Sequence, residues 1–199
     1  MKHRLAVAAL IATLSAPLTP SQAEEADLIA PLHQEHQEDQ GKRIVAEAEK
    51  YLGIPYQWNG RMTFLNPNLD CLGLLFLPYA AVFNFDWKKI PVDTNKELIS
   101  SGLLGQPVAG LDGILREDLN MANMAKLQSG DALFFLVKNY DNPRDPPLLV
   151  RGTDHYRVWH TGLYAGNSWA IHAKPSEKVL IEPLKNIYFD ALYATRRQH

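Results

Sequence analysis

Residues 158–173 read VWHTGLYAGNSWAIHA. Val158 to Ala165 and Trp169 to Ala173 are two strand-like runs around a Gly166-Asn167 turn signal, so the stretch reads as an antiparallel hairpin. It carries two histidines, His160 and His172, and the register decides whether they share a face. A two-residue loop at Gly166-Asn167 sets residue 160 opposite 173 and turns His172 to the other side. A three-residue loop, Gly166 to Ser168, sets 162 opposite 172 and brings both rings to one side. A slip of one residue flips every side chain. Cooperation between the two histidines therefore requires the longer loop, with a bulge.

Outward from the hairpin the strands continue. Val179 to Glu182 and Ala191 to Arg196 follow it, and DALFFLV at 131–137 precedes it. Residues 138–157 hold Pro143, Pro146 and Pro147 amid charge and read as a long loop. Residues 85–128 are punctuated by glycine and predict short helices and loops. Earlier still, 71–84 (CLGLLFLPYAAVFN) is apolar nearly all round, the mark of a buried helix. Asp70 is its N-cap, and Pro78 is expected to kink or shorten it. Residues 54–70 read as a structured loop, and 42–52 as an amphipathic helix ended by Gly53 and Pro55. Helices first and strands after predict an α+β domain with an antiparallel sheet.

The chain has 199 residues, 46% apolar and 21% charged, with a net charge of -2. That suits one globular domain, and the charge excludes a nucleic-acid footprint. Residues 1–23 have the secretory pattern: Lys2, His3 and Arg4, an apolar run from Leu5 to Leu18, then Ser21-Gln22-Ala23. The expectation is an exported protein, periplasmic or extracellular, with no transmembrane span after cleavage. Residues 24–41 form a polar, acidic lead-in, and the domain proper is 42–199. The lead-in holds His33 and His36, which read as part of a solvated tail.

One cysteine remains, Cys71. In an oxidising compartment a lone thiol is either incidental or reactive. Its place in the first turn of a helix offers free N–H groups and a partial positive charge, which favour thiolate and can hold an oxyanion. A buried, inert cysteine is the competing reading. Two histidines on adjacent strands weigh toward the reactive one.

At this point the chain resembles the NlpC/P60 cysteine peptidases, a papain-like group acting on peptidoglycan peptides. Four blocks in order carry the likeness: LGIPYQWNG at 52–60, DCLGL at 70–74, GDALFF at 130–135 and HTGLYAGNSWAIHA at 160–173. YFDALYATRR fits the family's closing aromatic strand ending in Arg, so the likeness spans about residues 42–197. The resemblance implies a papain-like fold with N-terminal helices packed on a central antiparallel sheet. It implies Cys71 as nucleophile, His160 as base and His172 as the residue that orients it. Tyr56 would line the site and help hold the oxyanion, and Asp70 would cap the catalytic helix. No cofactor and no metal are implied. The substrate would be a peptidoglycan stem peptide, cut between D-Glu and a diamino acid.

Leu72 stands where the family has Ser, Asn59 where it has the first Gly of a pair, and the 138–157 loop is longer than expected. Other readings stay open: a same-fold amidase or acyltransferase, a catalytically silent domain binding wall peptides or a partner protein, and a zinc site built from Cys71, His160 and His172.

Overall fold

The computed structural model describes residues 39–90 and 94–197. The secretory pattern and most of the lead-in, with His33 and His36, lie outside the described residues.

Helix α1 is described over 39–49 and buries Ile44 and Ala48. Helix α2, Cys71–Phe83, continues unbroken past Pro78 and closes at Asn84, which takes the left-handed C-cap conformation that asparagine tolerates. The short helices α3 (Asn95–Ser100) and α4 (Met121–Met124) begin at Thr94 and Asn120, whose side chains accept from backbone N–H groups three residues on. Seven strands make one antiparallel sheet: β1 Gln106–Leu115, β2 Ala132–Lys138, β3 Leu149–Arg151, β4 Asp154–Gly166, β5 Trp169–Ala173, β6 Val179–Pro183 and β7 Ala191–Arg196. The order across it is β1-β7-β2-β4-β5-β6, with β3 paired to β4. This is the α+β architecture that the order of helices and strands predicts.

The sheet departs from the sequence reading in two places. Strand β1 falls in the stretch expected to hold only short helices and loops. Its burial does not alternate, Gly110 and Gly113 sit at positive φ, and its register against β7 shifts twice, so no period-2 signal marks it. The long loop is also partly sheet: β3 pairs Leu149 with Tyr156, and β4 starts at Asp154 rather than Val158.

The hairpin register is the one that cooperation requires. Leu163 faces Ile171 and Tyr164 faces Ala170, so residues 160, 162 and 172 share a side. The turn itself is Asn167-Ser168, one residue later than the Gly166-Asn167 signal, with both residues at positive φ as a I′ turn demands. A bulge between Tyr164 and Gly166 restores the register. A second bulge, at Trp159, lies between the pairs Phe135↔His160 and Leu136↔Val158.

Two cores flank the sheet. Helices α1, α2 and α3 cover one side, where Leu74, Leu75 and Tyr79 pack with Phe134, Leu136, Leu163 and Ile171. The other side gathers Leu111, Leu133, Phe135, Tyr164, Phe189 and Leu192. Each fully buried Leu or Phe contributes about 1.5–3 kcal/mol, so these layers supply most of the stabilisation. The Tyr79 hydroxyl donates to Gly130 O at 2.8 Å and ties α2 to the start of β2.

The GDALFF block and the closing arginine meet here. Asp131 is 1% exposed. It accepts from Arg196 Nε at 2.7 Å, Arg196 Nη2 at 2.8 Å and Gln128 N–H at 2.9 Å. Removing one partner strands a buried charge, which costs about 3–5 kcal/mol. Arg196→Met should therefore lower unfolding free energy by about that amount in urea titration, and Asp131→Asn in the same chain should restore part of it. An unchanged urea midpoint in the single variant would contradict this.

Candidate active site

Asp70 assembles the start of α2. Its Oδ1 accepts from Gly73 N–H at 2.7 Å, its Oδ2 from Asn59 N–H at 3.0 Å, and it pairs with the Arg61 guanidinium. One buried carboxylate thus joins the helix cap to the 54–61 loop. Close backbone packing enforces the joint: a Cβ on Gly73 would stand 2.4 Å from Gly60 O, and one on Gly60 would stand 2.5 Å from Asn68 O. Asn59 lies at φ 61, a conformation asparagine adopts with little strain, so the Gly-to-Asn departure is accommodated.

With Gly73 N–H and Leu74 N–H given to Asp70, the N–H groups of Cys71 and Leu72 are the free donors of the first turn among the described residues. The donor at position 72 is backbone, so Leu in place of Ser leaves it intact. Tyr56 lies close enough to feel Cys71 and Asp70. Burial first, then Cys71 and Asp70, push its hydroxyl up to about 12, which keeps it a proton donor.

Opposite the helix start lies β4. Its ladder with β5 stops at Leu163↔Ile171, so residues 158–161 have an open flank there. A cavity of about 600 Å³ occupies this opening, lined by Trp58, Arg61, Cys71, Tyr140, Arg144 and His160 among others. Cys71 and His160 thus border one cavity, but no hydrogen bond joins them among the described residues. The thiol lies beside Thr161 instead, a buried residue on the helix side of β4 whose hydroxyl has no hydrogen-bond partner among the described residues.

His160 is on the other pleat, 1% exposed, with its ring stacked on Phe135 at 5.8 Å between centroids. Its Nε2 lies 2.7 Å from Nδ1 of His172, and His172 Nε2 lies 2.7 Å from Glu182 Oε1. That leaves Nδ1 of His160 as the ring nitrogen available to a reactant. Both ring nitrogens of His172 are occupied, and no group of three or more His, Cys, Asp or Glu among the described residues is arranged to hold a metal.

The electrostatics differ from the expectation drawn from helix position. Burial, then the adjacent Asp70 carboxylate, push the Cys71 thiol up to about 11, against smaller pulls from Thr161 and Arg61. Burial, then His172, bring His160 down to about 3. Burial also lowers His172, with Glu182 acting the other way. The substrate-free pair is a neutral thiol and a neutral imidazole.

The sequence reading missed three contributors. Arg61 and Thr161 act on Cys71 and its cap, and nothing in their spacing marks them. Glu182 was legible in principle: it sits opposite Ala170, two residues from the partner of His172, and so faces the same side.

The NlpC/P60 family model matches residues 53–198. A search of curated proteins finds no match. Among solved structures, an N-acetylmuramoyl-L-alanine amidase from Bacteroides uniformis is 14% identical with a TM-score of 0.60, over 81% of this chain and 100% of that one. NlpC2 from Trichomonas vaginalis is 20% identical with a TM-score of 0.50, over 80% of this chain and 47% of that one. The NlpC/p60 domain of the peptidoglycan hydrolase SagA is 24% identical with a TM-score of 0.42, over 78% of this chain and 97% of that one. Matched over 53–198, and bearing its cysteine at a helix start beside paired histidines on an antiparallel sheet, the chain belongs to the NlpC/P60 family.

Proposed function

We propose that the protein is an exported cysteine hydrolase that cleaves amide bonds in peptidoglycan stem peptides, at the bond between D-Glu and a diamino acid. One observation carries the reading: a cavity of about 600 Å³ is bordered by Cys71 at a helix N-terminus and by His160 of a buried histidine pair. Family membership supplies the substrate class, and the similar Bacteroides uniformis structure is that of an N-acetylmuramoyl-L-alanine amidase. Export rests on residues 1–23; among the described residues no helix is long and apolar enough to cross a membrane.

Cys71 is the nucleophile, His160 the base and His172 the residue that orients it. Nδ1 of His160 takes the thiol proton as sulfur attacks the amide carbonyl, and the N–H groups of Cys71 and Leu72, with the Tyr56 hydroxyl, hold the oxyanion. The C–N bond then breaks, and the His160 imidazolium gives its proton to the departing amine. Water, deprotonated by His160, hydrolyses the thioester and returns the thiol. No cofactor enters. With the thiol raised and the imidazole lowered, proton transfer between them is uphill in the free protein, so it accompanies attack on the bound amide.

A second reading has its own observation. The thiol lies beside Thr161 and makes no hydrogen bond to His160 among the described residues, which favours a domain that binds wall peptides without cutting them. Incubation with purified muropeptides and mass spectrometry of the products separates the two. The hydrolase reading expects two fragments from one amide bond; intact muropeptides that nonetheless bind would favour the second.

A neutral thiol ionises only at high pH, so its thiolate fraction keeps rising toward pH 11. The rate of Cys71 alkylation by iodoacetamide should then climb about tenfold per pH unit from pH 7 to about 10, with no plateau. A rate flat between pH 6 and 9 would mean a preformed thiolate–imidazolium pair.

The cavity wall from the 138–157 segment narrows the choice of specificity residue. Arg157 is spent on Asp145 O (3.0 Å) and Tyr140 O (3.1 Å), Arg151 on Gly113 O (2.9 Å), and Asp154 on Lys138 (2.7 Å). Arg144 lines the cavity and is the wall's candidate to meet a substrate carboxylate. Arg144→Ala should raise KM for muropeptides by about 10-fold or more with kcat little changed. Unchanged KM would move specificity to the 54–70 loop.

A further inference from the structure

We propose that Glu182 is a positioning residue that fixes the protons of the histidine pair, so that Nδ1 of His160 is presented as an unprotonated base. The proposal rests on the reading of His160 as the base. A carboxylate accepts hydrogen bonds and does not donate them. At 2.7 Å from Glu182 Oε1, Nε2 of His172 must therefore carry its proton. His172 is buried and neutral, so its Nδ1 bears a lone pair. Nε2 of His160, 2.7 Å from that lone pair, must then be the donor. A neutral His160 with its proton on Nε2 has a bare Nδ1, the nitrogen left for the thiol. The hydrogen-bond chain runs from strand β6 to the cavity through two rings, both under 3% exposed.

Without Glu182 the pair loses its direction. His172 is free to protonate Nδ1 and donate to His160 Nε2, which drives the His160 proton to Nδ1 and removes the base. The carboxylate has a second effect during turnover. When His160 takes the thiol proton, the new positive charge sits two hydrogen bonds from Glu182 and is stabilised by it. The other charged groups acting on His172 are Lys174 and Glu177, which pair with each other at 2.9 Å on the β5–β6 connection. They make no hydrogen bond to either ring among the described residues, so the direction of the pair depends on Glu182.

The test uses the full chain as wild type, Glu182→Ala and Glu182→Gln, each checked for folding by thermal melt. Long-range nitrogen–proton correlation spectra of the histidine rings report which nitrogen of His160 is protonated, and kinetics on muropeptides report kcat and KM. The proposal expects Nδ1 bare in the wild type, a mixture of tautomers in Glu182→Ala, and Glu182→Gln between them. It expects kcat to fall by about 10²-fold or more in Glu182→Ala, in the same order, with KM unchanged. If His160 keeps the same tautomer in both variants, Glu182 does not set it and the proposal is overturned. If the tautomer shifts as expected while wild type releases no product from muropeptides, the positioning role stands and the hydrolase reading fails. Should Glu182→Ala not fold, the isosteric Gln variant decides alone: a His160 tautomer population identical to wild type, with kcat unchanged, overturns the proposal.

Discussion

The carboxylate of Asp70 is the point on which the site depends. It caps α2, pairs with Arg61 and holds Asn59 of the preceding loop, all from a buried position. An unpaired charge there would be untenable, so three hydrogen-bonding groups converge on it from two segments. The result is a helix start in which the third and fourth N–H groups are occupied and the first two have no acceptor among the described residues. The same carboxylate raises the neighbouring thiol.

The second half of the site is built from sheet geometry. The bulge at Trp159 places Val158 in the core beneath the helices while His160 lies on the opposite pleat, stacked on Phe135. The hairpin register then brings His172 beside it, and β6 brings Glu182 beside His172. Gly162 lies between the two histidines on that side; a Cβ there would come 3.2 Å from His172 Cβ and 3.0 Å from Ile171 O. The thiol on α2 and the imidazole on β4 border the same cavity, with no hydrogen bond between them among the described residues.

Much of this was legible in the residues. The apolar run after Asp70, the alternation in 158–173 and the single cysteine identify α2, the β4–β5 hairpin and the thiol at the helix start. The chemistry of the register was legible too, because only one loop length puts both histidines on a face. Strand β1 was not, since Gly110 and Gly113 at positive φ break its period. Nor was the state of the thiol: a helix N-terminus lowers it in isolation, while burial and the adjacent Asp70 carboxylate push it up in the folded chain. The arginines of 138–157 looked alike in sequence, and only their tertiary partners single out Arg144. The secretory pattern at 1–23 is read from composition alone.

The central claim is that Cys71 performs the chemistry. Its most direct test compares the wild-type chain with Cys71→Ala on purified muropeptides, measuring fragment release by mass spectrometry and binding by calorimetry. The account predicts that the variant binds as well as wild type and releases no fragments. Equal fragment release by both chains would contradict it.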